Sequence, residues 1–116
     1  MKIIITTGTA EGPTAVAAFD AALRKAGVEN YNLIPLSSII PPNSTIERAT
    51  FVTPFDEYGH RLYVVMARSD AAVSGTEAWA GVGWAQEPER DAGSLSNYTK
   101  RASAQLRKPL KPHWYR

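Results

Sequence analysis

Two adjacent serines, Ser37 and Ser38, interrupt an otherwise apolar stretch, Asn30-Tyr31-Asn32-Leu33-Ile34-Pro35-Leu36-Ser37-Ser38-Ile39-Ile40-Pro41-Pro42. The stretch reads as a strand that ends at the prolines, which have no N–H for a sheet ladder and fix their own φ. Hydroxyls at such a place suggest chemistry rather than packing. A serine oxygen held against the preceding carbonyl is placed to attack it, and a constrained turn lowers the barrier by keeping the two in near-attack geometry. Attack of Ser38 on the carbonyl of Ser37 converts the peptide bond to an ester. β-Elimination then leaves dehydroalanine at position 38, and hydrolysis leaves a pyruvoyl group at the head of a new chain. That group is a built-in ketone with the reactivity of an electron-sink cofactor. The second reading is an ordinary turn in which the hydroxyls bond their own backbone.

The elements around the pair follow from periodicity. Residues 2–7 are β-branched and alternate weakly, which predicts a first strand. The loop of residues 7–12 precedes Pro13, a suitable first residue of a helix, and Gly8 or Gly12 would permit a positive φ. The loop has neither a Gly-Lys-Ser/Thr ending nor a GxGxxG pattern, so it reads as a connecting turn and not as a phosphate cradle. Val16, Phe19, Ala22, Leu23 and Ala26 recur at helical spacing through residues 13–26, and Gly27 suits the position after the helix. On a wheel of 100° per residue Asp20 lies about 40° from Val16 and 60° from Leu23, at the edge of this stripe. It can pair with Arg24 one turn on, or receive a guanidinium fork at the rim of a pocket. Strands are expected at residues 31–36, 44–53, 61–67 and 78–84, with a loop at 54–59 and a short helix or loop at 69–76. Gly81 and Gly83 would let a neighbour approach closely, Trp79 and Trp84 read as core or subunit-contact residues, and His60 as a loop residue.

Composition narrows the classes. A chain of 116 residues makes one domain with one core. With no cysteine there is no disulfide, thiolate ligand or cysteine nucleophile, and two histidines are too few for a metal site. No apolar run approaches the roughly 18 residues of a membrane span, and residues 2–7 are too short for a signal-peptide core, so a soluble cytoplasmic protein is expected. Charge is uneven: residues 1–90 carry 7 Lys and Arg against 10 Asp and Glu, whereas residues 91–116 carry 6 against one.

The flanking sequence separates the readings of the serine pair. Gly8-Thr9-Ala10-Glu11-Gly12-Pro13, Ala18-Phe19-Asp20-Ala21-Ala22-Leu23, Ala26-Gly27 and the stretch from Asn30 to Pro42 resemble pyruvoyl-dependent arginine decarboxylases. The likeness continues through Glu57-Tyr58-Gly59-His60-Arg61 and Glu77-Ala78-Trp79-Ala80-Gly81-Val82-Gly83-Trp84, and ends after about Asp91. It implies a layered α/β sandwich with an incomplete C-terminal part: a family-like domain over residues 1–90, cut between 37 and 38, and a divergent basic tail over 91–116. It also implies decarboxylation of L-arginine to agmatine and CO2, with a pyruvoyl cofactor derived from Ser38 and homotrimers whose sites lie between neighbouring protomers. Ser37 would become the end of the first fragment and Asn32 would support processing. Asp20 would hold the guanidinium, with Val16 and Leu23 beside it in the substrate site.

The resemblance further implies a catalytic glutamate on the strand after the Gly-Trp segment, and here no acid follows Asp91. Degenerate back-translation from the third base of the Gly93 codon can spell Leu-Ser-Phe-Glu-Leu-His-Glu-Ala in the second frame, so a frame shift near codons 91 to 93 would account for the vacancy. Two alternatives follow. One is an uncleaved or catalytically impaired scaffold of the same fold. The other is a small nucleic-acid binder using the basic tail, which ranks last because the tail lacks interleaved aromatic residues.

Overall fold

The computed structural model describes residues 1–73 and 75–103. In chain order the elements are β1 (Lys2–Ile5), α1 (Ala15–Ala26), β2 (Asn32–Pro35), β3 (Ile39–Ile40), β4 (Thr45–Arg48), a 3₁₀ turn (Phe55–Glu57), β5 (Arg61–Val64), β6 (Thr76–Gln86) and β7 (Gly93–Ser103). The class is mixed α/β. The chain divides into two units, one of residues 1–36 and 43–64, the other of residues 37–42 and the described residues from 65 on.

The first unit holds α1 and two parallel strand pairs, β1 with β4 and β2 with β5. β1 and β4 register Lys2 on Thr45 through Ile5 on Arg48, and Lys2 and Glu47 add an ion pair at 3.1 Å. β2 and β5 register Asn32 on Arg61 through Pro35 on Val64. Helix α1 starts at the Thr14 cap, whose hydroxyl accepts from the Ala17 N–H at 3.1 Å, so Pro13 precedes the helix instead of opening it. It ends at Gly27, whose φ of 83° satisfies the last carbonyls, as the sequence predicts. Thr6 Oγ1 donates to the Ala26 carbonyl at 2.9 Å and Thr53 Oγ1 to the Gly27 carbonyl at 2.6 Å, fastening the helix end from two sides.

The packed face of α1 keeps Phe19, Ala22, Leu23 and Ala26 of the expected stripe, all half-buried, and loses Val16. A Cβ on Gly8 would strike the Ala22 carbonyl and one on Gly12 would crowd the Ala18 amide. Both glycines therefore serve close approach, and neither has a positive φ. The loop lies on the line of Ala18, Ala22 and Ala26, where small side chains let backbones come together. Measured from Ala22, Val16 lies about 120° round the helix and Asp20 about 160°. Accordingly Val16 is 78% exposed, a correction to its place in the buried stripe.

The second unit is an antiparallel sheet in the order β3-β7-β6. β6 and β7 pair over their whole length, from Thr76 on Ser103 to Gln86 on Gly93. Residues 93–103, the first part of the segment expected as a divergent basic tail, thus form a sheet strand along β6. Ile40, on β3, is 1% exposed and is the buried apolar side chain among the described residues. The strand predicted at 44–53 closes at Arg48, and the one at 61–67 closes at Val64. Residues 104–116, with most of the basic tail and His113, lie outside the described residues.

Candidate active site

Ser37 is exposed and Ser38 half-buried at the entry to β3. The carbonyl of Ser38 accepts from the Leu95 N–H at 2.8 Å, and the next two residues pair with β7, Ile39 with Ser94 and Ile40 with Gly93. Gly93 is required there, since a Cβ would strike the Ala85 carbonyl. Upstream, the Leu36 N–H donates to the Val64 carbonyl at 2.8 Å. Leu36 and Ser38, the neighbours of Ser37 in the chain, are thus each tied by a main-chain bond to a strand of their own unit. The sequence marks the serines but not Leu95, whose contribution is a main-chain group.

Asn32 opens β2. Its Nδ2 donates to the Gly59 carbonyl at 2.7 Å, while its own N–H donates to the His60 carbonyl at 2.8 Å. The Gly59 N–H returns a bond to the Asn30 carbonyl at 2.8 Å, and the His60 N–H bonds the Glu57 carbonyl at 2.9 Å. Gly59 has φ of 82°, which explains the glycine in this turn. Next to Asn32, Tyr31 donates its hydroxyl to Glu57 Oε1 at 2.8 Å and leans on Phe51 at a centroid distance of 6.1 Å. Burial first, then the hydrogen bond to Glu57 and the negative charges of Glu57 and Asp56, push the Tyr31 phenol up to about 12. Sequence reading missed Tyr31 and Glu57, although the Asn-Tyr-Asn triplet beside an acidic Gly-containing loop was their signal.

Asp20 bonds Arg24 through Oδ2 at 2.9 Å, and both side chains are largely exposed. Of the two residues expected beside it, Leu23 is half-buried and Val16 is exposed. Asp20, Val16, Leu23 and Asn32 belong to the first unit, Ser37 and Ser38 to the second. Two acids flank the vacancy expected on β7. Glu77 is half-buried on β6 in register with Ala102, and Glu87 lies in the following turn, 3.4 Å from the Arg90 guanidinium.

The model of the family described as pyruvoyl-dependent arginine decarboxylase matches residues 2–112. This match continues past the point near Asp91 where the visible resemblance stops. The chain is 43% identical over 84 residues to the pyruvoyl-dependent arginine decarboxylase of Halobacterium salinarum, covering 72% of this chain and 52% of that one. It is 33% identical over 94 residues to pyruvoyl-dependent arginine decarboxylase 2 of Archaeoglobus fulgidus, covering 78% and 57% respectively. Over a shorter span of 46 residues it is 56% identical to the Methanothermobacter thermautotrophicus protein of the same name, 40% of this chain and 30% of that one. The chain spans about half the length of the first two of these relatives. With the serine pair and its flanks inside the matched region, the chain belongs to the pyruvoyl-dependent arginine decarboxylase family.

Proposed function

We propose that this chain cuts itself between Ser37 and Ser38 and that the processed protein decarboxylates L-arginine to agmatine and CO2. The single observation that carries the reading is the serine pair held at β3 within a family match over residues 2–112. In the cut, Ser38 Oγ attacks the Ser37 carbonyl and its proton passes to the departing amide nitrogen. Elimination of the resulting ester frees the Ser37 carboxylate, and hydrolysis releases ammonia. The residues present fit a carbonyl group at position 38, because residue 38 can lose its upstream bond while Leu95 and the Ile40–Gly93 pairing hold it in place. Such a pyruvoyl group supplies the electron-accepting ketone that loss of CO2 from an α-amino acid requires.

The side chains do the rest. Asn32 supports the cut, and Asp20 receives the substrate guanidinium, with Val16 and Leu23 packing on its methylenes. The Arg24 guanidinium already forms this kind of bond to Asp20 at 2.9 Å, and an exposed pair of this spacing is worth only about 0.3–0.5 kcal/mol, so a substrate can displace it. The reading includes the layered sandwich, a cytoplasmic setting and trimers of cleaved protomers in which neighbours complete each site.

Intact mass under denaturing conditions tests it. The protein should separate into residues 1–37 and residues 38–116, the second with a blocked N-terminus, and Ser38→Ala should stay whole because no β-hydroxyl remains to attack or eliminate. A single uncut species from the unaltered chain after prolonged incubation would instead favour the scaffold reading.

A further inference from the structure

We propose that Tyr31 and Glu57 are positioning residues for Asn32, locking its side-chain amide into one orientation through the turn that carries Gly59. The inference rests on the reading in which Asn32 supports self-cleavage. An asparagine amide has a donor end and an acceptor end of nearly equal shape, so its orientation is chosen by its partner. The Gly59 carbonyl, an acceptor, selects Nδ2 at 2.7 Å and leaves Oδ1 for other work. Where that carbonyl points is set by the turn, whose φ at Gly59 is 82°.

Two backbone bonds join the turn to residues 30–32, Gly59 N–H to Asn30 O and Asn32 N–H to His60 O. Successive side chains point to opposite faces of an extended backbone, so Tyr31 and Asn32 reach the turn from different sides. Tyr31 takes Glu57 at 2.8 Å and Asn32 takes Gly59. The Tyr31 ring is in turn braced by Phe51. Glu57 closes the 3₁₀ turn, and its carbonyl also accepts from His60, so the Tyr31–Glu57 bond fixes the residue from which the Gly59 segment departs.

A coupling experiment separates positioning from a general contribution to folding. The rate at which residues 38–116 appear would be measured by mass for the parent, Tyr31→Phe, Asn32→Ala and the double variant, with thermal unfolding alongside. Tyr31→Phe should slow cleavage about tenfold when Asn32 is present and have no further effect when it is alanine, while lowering Tm equally in both backgrounds. Equal slowing in both backgrounds, or none in either, would overturn the proposal. Hydrogen exchange of the Asn32 side-chain amide, followed by NMR in the uncut Ser38→Ala protein, gives a readout independent of cleavage. Exchange should speed up on Tyr31→Phe or Glu57→Gln, and unchanged exchange would refute the clamp. If the parent fails to cut itself, the functional reading falls, while the exchange measurement still decides whether the clamp exists.

Discussion

Asn32 and Asp20 occupy the same unit and are both short polar side chains, yet they are held in opposite ways. Asn32 sits in a mesh of main-chain and side-chain bonds with Gly59, His60 and the Tyr31–Glu57 pair around it. Asp20 is held, among the described residues, by an ion pair to a neighbour on its own helix, in solvent. The difference suits the two tasks proposed for them. Self-cleavage happens once per molecule and depends on pre-set geometry, whereas a substrate must enter and leave at every turnover, which a weak exchangeable ion pair allows.

The largest test of that contrast concerns the reaction rather than the cut. The proposed cleavage would draw on residues 32–38, whereas the proposed turnover would also need an acid at the α-carbon, and β7 has none. The chain should therefore process itself while releasing agmatine slowly. Restoring the alternative frame after about codon 92 should raise agmatine release by roughly 10²–10⁴-fold, the usual contribution of a general acid. An ordinary rate from the 116-residue chain, about 1 s⁻¹ or more, would assign the role to Glu77 or Glu87 instead.

The next effect belongs to Asp20. Replacing it with asparagine keeps the shape and removes the charge that strengthens a guanidinium fork, so arginine binding should weaken by roughly 1.5–3 kcal/mol, about 10- to 150-fold in Kd by calorimetry. The cut should be untouched. Unchanged affinity would make Asp20 simply the partner of Arg24.

The smallest effect probes the rigid side. Tyr31 is held up to about 12 from an ordinary phenol value of 10.0. The raised value favours the protonated phenol, so its stabilisation is complete below pH 10 and is lost as pH rises towards 12. Chemical denaturation should show stability falling across that window, and Tyr31→Phe should flatten this part of the profile.

What could be read from sequence depended on whether a property was local. The Gly27 helix end, the helix itself, the strand before the serines and the β6 strand follow from spacing and residue type. The packed face of α1 followed too, except at Val16, which is exposed, and at Ala18, which the wheel left out and which joins Ala22 and Ala26 against Gly8 and Gly12. β7 was not foreseen from sequence either. Gly93-Ser94-Leu95-Ser96-Asn97 has little apolar alternation, and its strand character comes from pairing with β6, a long-range property. At the site, the serines and asparagine were visible as residue types, but Leu95 N–H and the Gly59 carbonyl were not, since any residue can supply a main-chain group.

The parallel pairings have a thermodynamic consequence for a chain cut after Ser37. β1 and β2 lie in the first fragment, and their partners β4 and β5 lie in the second. Neither ladder closes within one fragment, so the break turns a one-chain folding equilibrium into an association. Before it, stability is independent of dilution; afterwards the unfolded state gains the translational freedom of two molecules, and the melting temperature falls as the protein is diluted. In the proposed reaction, the bond that begins the chemistry would thus also end the protein's ability to refold from a single strand of polypeptide.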